Sequence, residues 1–337
     1  MNTFGRLFRV HIFGESHGES VGINIDGCPA GLSLRLEDFL ADLERRKGGL
    51  QKGTTPRKED DLPIFKSGLF NNSTTGAPIT ILFENNNTRS GDYEKQRAVP
   101  RPGHADFVAH HKFGGFEDYR GGGSFSARLT VGLVAAGVIA KKLMTGVEIS
   151  SSILEIGGEA DLDKGLQKAI DAKDSIGGIV ECRVKGLPIG LGEPFFDSVE
   201  SLLAHAAFAI PAVRGVEFGT GFAAARMFGS QHNDAIEDMQ GRTRTNHAGG
   251  VVGGLSNGNE LVFRIAIKPT SSTPKEQRTL NWETEQQELF SVKGRHDLCV
   301  ALRAPVILEA VTAITLADLL LLEQQIPRRI GGNIAED

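Results

Sequence analysis

The stretch Gly27-Cys28-Pro29-Ala30-Gly31-Leu32 returns 159 residues later as Gly186-Leu187-Pro188-Ile189-Gly190-Leu191. Both stretches have the pattern G-x-P-x-G-L, and each stands between an alternating apolar pattern typical of a strand and an apolar periodicity typical of a helix. Because the motif repeats together with its flanking strand and helix patterns, the sequence predicts two related halves, roughly residues 1–150 and 151–337. We expect these halves to pack as one domain around shared helices. Two unrelated Pro/Gly turns are the alternative interpretation.

Hydrophobic periodicity predicts the main elements around these turns. Alternating apolar residues indicate half-buried strands at residues 21–26, 79–84, 179–185 and 261–268. Helical spacing or continuous apolarity indicates helices near residues 36–47, 128–144, 197–209 and 305–322. The segments 47–61 and 85–104 are long, polar and rich in Gly, Asn and Arg, which favours functional loops over simple connectors.

Composition excludes several classes of protein. The 337 residues include 37 Lys or Arg and 42 Asp or Glu, and a net charge of −5 makes nucleic acid an improbable partner. Cys28, Cys182 and Cys299 lie far apart without a CxxC pair, which favours reduced thiols over a disulfide framework. The first residues do not resemble a signal peptide, and the apolar run 129–140 is too short to cross a bilayer. We therefore expect a cytoplasmic protein without a membrane partner.

Three motifs in the first half combine chemistry-bearing side chains with glycine. FGESHG at residues 13–18 places His17 in a turn where a ligand has room to approach. RPGHAD at 101–106 sets His104 beside a cation and a carboxylate that tune its protonation. RGGGSFSAR at 120–128 offers backbone N–H groups, hydroxyls and a helix N-terminus to an anion. Since this run matches neither the Rossmann nor the Walker pattern, a dinucleotide or P-loop site is not indicated.

Three further motifs lie in the second half: NHAGG at 246–250, KPTSS at 268–272 and GRHD at 294–297. Each alone is typical of a surface loop. Together the six motifs supply histidines, cations, glycines and hydroxyls, which suit a site that binds phosphate and moves protons. No metal site is expected, because there is no HExxH pattern and the adjacent His110 and His111 are interpreted as solvated surface residues.

In order and spacing, these six motifs closely resemble the chorismate synthase family over residues 5 to about 322. The resemblance implies an anti-1,4-elimination that converts 5-enolpyruvylshikimate 3-phosphate to chorismate and phosphate. It implies reduced FMN as cofactor without net redox change, and NADPH at most as an indirect reductant. It also implies an α+β fold, a β-α-β sandwich with an internal duplication, and a homotetramer.

The resemblance also implies roles for individual residues. His17 and His104 match the catalytic histidines, of which one protonates the leaving phosphate and the other serves the flavin. Asp297 matches the carboxylate that acts with the flavin in removing the C6 proton. Flavin contacts are implied for Ser124, Phe125, Ser126, Pro211, Ala212, Gly253, Lys268, Pro269, Thr270, Ser271, Ser272 and Arg295. Substrate or NADP contacts are implied for Arg46, Lys52, Arg128 and Arg303.

The sequence departs from the family pattern at several positions. Ser124 stands where an Arg is common, Phe125 where a small residue is common, and Leu129 where a Glu is common. Pro211 often has a polar counterpart, and Lys52 replaces an Arg and loses its bidentate fork. A flavin oxidoreductase or a non-catalytic flavin- or anion-binding relative is therefore the alternative. Without a dinucleotide fingerprint, the chain is expected to depend on an external flavin reductant.

Overall fold

Two antiparallel sheets face each other across a layer of helices in the computed structural model of the protein, which describes residues 2–49, 52–57, 59–87, 97–292 and 296–331. This arrangement confirms the α+β class and the sandwich expected from the sequence. The four predicted strands and four predicted helices are present, with their bounds shifted by no more than two residues.

The first sheet is built from the N-terminal part of the chain. Its strands and two shorter neighbours are β1 Thr3–Phe4, β2 Arg9–Gly14, β3 Ser20–Asp26, β4 Ile64–Ser67, β5 Leu69–Phe70, β6 Ser73–Thr74 and β7 Ile79–Glu84. The order is β1-β2-β3-β7-β4, while β5 and β6 pair separately. Val21, Ile23 and Ile25 on β3 are fully buried, because alternate residues of the strand face the helical layer.

The second sheet repeats this plan. The remaining strands are β8 Glu148–Ile156, β9 Gly178–Lys185, β10 Val213–Phe218, β11 Val251–Val252, β12 Leu255–Ser256, β13 Leu261–Ile267, β14 Gln277–Asn281 and β15 Gln286–Phe290. The main sheet has the order β10-β13-β9-β8, and β11–β12 and β14–β15 form separate hairpins. Alternate apolar pairs such as Ile265 opposite Val180 hold its centre together.

The helices between and around the sheets are α1 Glu37–Arg46, α2 Asp106–Phe113, α3 Thr130–Leu143, α4 Leu162–Ala172, α5 Val199–Phe208, α6 Gly229–His232 and α7 Ala304–Leu322. α3 lies on the first sheet and α7 on the second, and the two helices pack against each other. Their backbones approach closely at Gly137, where a Cβ would lie only 2.5 Å from Ala310 Cα. The span Val300–Leu322 is long and apolar enough to cross a membrane, but 89% of its most apolar window is buried inside the protein, as in a core helix.

The repeated sequence turn has the same hydrogen bonds in both halves. Thr74 Oγ1 accepts from Leu32 N (2.9 Å) and donates to Pro29 O (2.6 Å). Ser256 Oγ accepts from Leu191 N (2.9 Å) and donates to Pro188 O (2.5 Å). The order of elements is also repeated, since β2, β3, α1, β4, β7 and α3 correspond in sequence and in sheet position to β8, β9, α5, β10, β13 and α7.

One buried carboxylate joins the two halves through the helical layer. Glu309 on α7 accepts from Arg45 on α1 (2.7 and 2.8 Å) and from Lys141 on α3 (2.9 Å). The N–H and hydroxyl of Ser151 on β8 also donate to it, at 3.1 and 2.8 Å. Burial alone would raise the pKa of Glu309, but the bonds from Arg45 and Lys141 prevail and lower it to about 2. The side chain therefore remains a carboxylate and fixes four elements relative to one another.

Candidate functional site

A cavity of about 380 Å³ opens where five of the six sequence motifs converge; NHAGG does not line it. Its walls come from residues 16–17, 46–48, 55–57, 59–61, 87 and 101–128 of the first half and from 211–212, 268–272 and 296–303 of the second. Seven of the described lining residues are Arg or Lys and three are Asp or Glu. A protein with a net charge of −5 thus concentrates positive charge in one place, as binding of a multiply charged anion requires.

A glycine run separates the two motif histidines. Gly121, Gly122 and Gly123 have φ of +60°, +84° and +52°, so the chain here follows a path that side chains disfavour. A Cβ at Gly121 would overlap the His17 ring, and one at Gly122 would lie 3.2 Å from His104 Cε1. The 120–128 motif therefore brings both imidazoles against one stretch of bare backbone.

His17 is buried, with the cations Arg57 and Arg120 and the anions Asp118 and Glu59 near it. Only 9% of the residue is exposed. Burial lowers the pKa of its imidazole, and the charges of Arg57 and Arg120 lower it further. Without a bound anion, His17 is therefore neutral at neutral pH. The turn before it is tied to the glycine run by the bond from Ser16 N to Gly123 O (3.1 Å).

His104 lies in a turn that is tied to the end of β13. Lys268 Nζ and Ser271 Oγ both donate to Gly103 O, each at 2.7 Å. Burial, followed by the nearby charge of Arg214, lowers the pKa of Lys268. These contacts join the RPGHAD and KPTSS motifs, which are far apart in sequence, into one wall of the cavity.

Asp297 faces the cavity and is held from two sides. Its Oδ1 accepts from Thr55 N (2.9 Å), and its Oδ2 accepts from Arg303 Nη2. Arg303 Nε is buried, and no acceptor among the described residues reaches it. Arg303 thus binds the Asp297 carboxylate through Nη2, and its Nε is left as a donor for a ligand.

Arg46 and Arg128, expected as substrate cations, line the cavity but serve mainly its frame. Arg46 donates to Asp61, Thr130 and two backbone carbonyls, and Arg128 donates to Asp61, to the side chain of Asn85 and to Glu84 O. Burial lowers the pKa of Arg46, and the charge of Asp61 opposes this change. Asp61 thus bridges two guanidinium groups that are almost inaccessible to water.

Most of the implied flavin residues line the same cavity: Phe125, Ser126, Pro211, Ala212, Lys268, Thr270, Ser271 and Ser272. Ala212 has a φ of +74°, a strained conformation often found at functional sites. Pro269 does not line the cavity, and Gly253 lies on the exposed β11–β12 hairpin. Arg295 lies outside the described residues. Lys52 also points elsewhere, since its Nζ donates to Gln167 on α4 (3.2 Å).

The donor set of this cavity fits reduced FMN. Lys268 and a row of hydroxyls at the end of β13 suit a phosphate or ribityl chain. Phe125, 41% exposed, offers an aromatic face beside them.

A second cavity, of about 630 Å³, adjoins the first and shares Arg101, His104, Ala105 and Phe125 with it. Ser124, implied as a flavin contact, lines this second cavity instead. His110 also lines it, with 39% of its side chain exposed to solvent. Its ring stacks on Trp282 at 4.7 Å between centroids, and its Nδ1 lies 3.1 Å from Glu117 Oε1.

Several lining residues were not predicted as site residues from the sequence. Thr55, Glu59 and Asp61 come from the polar segment 47–61, where no periodicity singles them out. Arg57 from the same segment donates to Ser16 Oγ (3.1 Å) and pairs with Glu59 (2.7 Å). The one signal for these residues was the length and polarity of the segment, which indicated function without indicating which side chains perform it.

Comparison with known proteins gives a consistent result. The family model described as chorismate synthase matches residues 8–321. A chorismate synthase of Chitinophaga pinensis is 72% identical over 326 residues, which cover 96% of this chain and 98% of the relative. One from Dehalococcoides mccartyi is 46% identical and covers 98% of this chain and 99% of its own. A crystal structure of chorismate synthase matches with a TM-score of 0.72 at 26% identity, covering 95% of this chain and 93% of that one.

Proposed function

The chain belongs to the chorismate synthase family, and we propose that the 380 Å³ cavity is its active site. The enzyme is a lyase of the shikimate pathway and of aromatic amino acid biosynthesis. It eliminates phosphate from 5-enolpyruvylshikimate 3-phosphate in the anti-1,4 sense and forms chorismate. The observation that carries the proposal is that one cationic cavity gathers His17, His104 and Asp297.

The substrate carries a phosphate and two carboxylates, so its binding depends on the cations of the cavity. Arg57, Lys268 and Arg303 are the candidates supported by the structure, because each lines the cavity and is not enclosed as Arg46 and Arg128 are. Arg303 contributes the buried Nε donor that is unused by the described residues. A cation beside the leaving phosphate also stabilises the charge that develops as the C–O bond breaks.

Proton transfer is assigned to the two histidines and Asp297. The lowered pKa leaves His17 neutral in the absence of ligand, whereas an adjacent phosphate favours the imidazolium form because opposite charges attract. Substrate binding thus favours the charged form of His17. Asp297 is held ready as a proton acceptor by the Thr55 N–H and the Arg303 guanidinium.

The family requires a reduced flavin, and we propose that reduced FMN is bound by Phe125, Ser126, Pro211, Ala212, Lys268 and the hydroxyls of 270–272. The chemistry supplied by the bound flavin is a transient donation of electron density to the allylic phosphate. The chain itself binds the anions, orients the groups and excludes water. NADPH is proposed only as an indirect reductant that acts before the flavin reaches this site.

We also propose a cytoplasmic homotetramer. The three cysteines are buried free thiols, and burial raises the pKa of Cys28 and of Cys182 to about 12, which suits a reducing compartment. Phe195 and Phe196 are 86% and 92% exposed, and such side chains favour contact with further copies of the chain. Gly253 lies outside the cavity of its own chain, so its proposed flavin contact depends on such a copy.

The decisive experiment is an anaerobic assay with pre-reduced FMN at a concentration far below that of the substrate. Chorismate and the flavin absorbance are followed together. We expect many products for each flavin, with the flavin still reduced at the end. One oxidised flavin for each product would instead favour a flavin oxidoreductase, and binding without product would favour a non-catalytic relative.

His17→Ala and His104→Ala test the assigned proton transfers. Each substitution is expected to lower turnover by ~10²–10⁴-fold, the usual loss when a group that transfers a proton is removed. Substrate affinity should change far less. Turnover close to that of the unmodified enzyme in either variant would remove that histidine from the mechanism.

A further inference from the structure

We propose that Asp106 is a positioning residue that holds His104 as its Nδ1–H tautomer, with Nε2 as the ring nitrogen available to ligands. The inference rests on the proposed function for its catalytic meaning, because His104 is assigned there as a proton-transfer group. Its structural content stands independently of that role.

The carboxylate of Asp106 gathers donors from a single turn. Its Oδ1 lies 2.6 Å from His104 Nδ1 and accepts from Arg101 Nη2 at 2.8 Å. Its Oδ2 accepts from Arg101 Nε at 2.7 Å and from Arg101 N at 3.1 Å. Arg101 is 8% exposed and is anchored in turn by a bond from Nη1 to Ser272 Oγ (3.1 Å).

The donor and acceptor types select the tautomer. An ionised carboxylate only accepts hydrogen bonds, and a guanidinium only donates them. With a proton on His104 Nδ1, the 2.6 Å contact with Asp106 is a hydrogen bond. Without that proton, Nδ1 would accept from Arg101 Nη2 at 3.0 Å, but its lone pair would also face an oxygen of the Asp106 carboxylate at only 2.6 Å. The shorter contact, to a charged acceptor, therefore favours Nδ1–H in the neutral ring.

Asp106 remains ionised over the working range of the enzyme. Burial alone would raise the pKa of its carboxyl, but the bonds from Arg101 and His104 and the charge of Arg101 hold it well below its usual range. The acceptor opposite His104 Nδ1 is thus permanent. A water molecule or a hydroxyl at this place could either donate or accept a hydrogen bond and would be compatible with both tautomers of His104.

The glycine run leaves the other side of the ring open. A Cβ at Gly122 would lie 3.2 Å from His104 Cε1 and 3.3 Å from Nε2, so a side chain there would obstruct this edge of the imidazole and glycine does not. The turn that carries the ring is held at Gly103 by Lys268 and Ser271, so the contact of Nδ1 with Asp106 sets the orientation of the ring. A proton carried on Nε2 would then always start from the same place, and alignment of reacting groups accounts for a large part of catalysis.

The test combines a spectroscopic and a kinetic measurement on the full-length protein. Solid-state ¹⁵N NMR of histidine-labelled enzyme, recorded at about pH 9 where an ordinary imidazole is neutral, distinguishes protonated from unprotonated ring nitrogens. A His104→Gln sample identifies the signals of His104. We expect protonated Nδ1 and unprotonated Nε2 in the unmodified enzyme, and a mixed or inverted pattern in Asp106→Asn, since a carboxamide presents either a donor or an acceptor.

In the kinetic measurement, Asp106→Asn should lower kcat by about 10-fold or more with a much smaller change in KM, as for other residues that orient a catalytic histidine. In a His104→Ala background the same substitution should have no further effect. Asp234→Asn is the matched control, because Asp234 likewise accepts from several donors, including the N–H groups of His247 and Ala248, but does not line the cavity. It should leave both kcat and the His104 signals unchanged.

The two proposals fail in different ways. Protonated Nε2 in the unmodified enzyme, or a His104 pattern that survives Asp106→Asn, would overturn the positioning role whatever the kinetics show. The positioning role would also be overturned if Asp106→Asn lowered kcat equally with and without His104. Full turnover in His104→Ala would instead remove His104 from the proposed mechanism while leaving the tautomer assignment as measured.

Discussion

Gly121→Ala should lower turnover by displacing His17, beyond the effect of its loss of fold stability. The residue has a φ of +60°, and an alanine there costs about 1–2 kcal/mol in backbone strain. Its Cβ would also overlap the His17 ring and come within 2.9 Å of Ser16 Oγ. Because Gly123 O accepts from Ser16 N, the glycine run and the FGESHG turn cannot separate freely, and the imidazole must move instead.

The size of the expected effect follows from that displacement. Removing the overlap requires a shift of the ring on the order of 1 Å, and a misplacement of this size costs roughly 10²-fold in rate. Gly158→Ala is the control, since Gly158 has a φ of +78° with nothing within 4 Å of its Cβ and lies outside the cavity. It should lose similar stability in urea unfolding and retain its turnover.

The assay is anaerobic turnover with reduced FMN, measured on both variants beside their unfolding curves. We expect Gly121→Ala to be at least about 30-fold slower than Gly158→Ala at comparable stability, given the rate penalty above. In a His17→Ala background, which removes the overlapping ring, the additional loss should disappear. Equal turnover in the two glycine variants would refute the argument that the bare backbone at Gly121 sets the position of His17.

Two further predictions concern buried charge. Asp61→Asn leaves the two buried guanidinium groups of Arg46 and Arg128 without their shared anion and should lower the free energy of unfolding in urea by about 3–5 kcal/mol. The control is Asp26→Asn, which breaks an exposed ion pair and should cost less than about 1 kcal/mol. Similar losses in the two variants would contradict the proposed bridge. Glu309→Gln should lower the free energy of unfolding by on the order of 3 kcal/mol at neutral pH, because folding lowers the pKa of Glu309 from 4.5 to about 2. That stabilisation is complete above pH 4.5 and disappears as the pH falls towards 2, so a variant that stayed equally destabilised near pH 2 would contradict the assignment.

The sequence predicted the elements whose periodicity is strong and local. α3 and α7 are apolar nearly all round, and β13 alternates over seven residues, so their burial is visible in the residues themselves. β8 was missed because Ser151 and Glu155 interrupt the isoleucines of its half-buried face, so the apolar alternation is weak. α2 was missed because its aromatic and histidine side chains are spread around the helix instead of along one face.

The site was predictable to the extent that its residues stand in motifs. His17, His104 and Asp297 are flagged by glycine, cations and the family resemblance, and the structure places all three on one cavity. The Asp61 bridge could not be predicted, because its partners Arg46 and Arg128 come from segments up to 82 residues apart and meet only after folding. Lys52 was predicted to contact a ligand, but its side chain binds Gln167 instead. A position in a motif predicts the type of residue and does not predict the direction of its side chain.

The cavity spans both halves of the molecule, and this affects how the enzyme becomes active during its synthesis. Arg46 and Thr55 leave the ribosome early, whereas their partners Asp297 and Arg303 emerge only when most of the 337 residues have been made. A nascent chain that has reached the end of α3 holds His17 and His104 but lacks the wall from residue 211 onward and the acid opposite Thr55. The enzyme therefore becomes active in one late step, when the C-terminal wall of the cavity folds into place. A chain truncated before residue 297 is expected to be inactive instead of partly active.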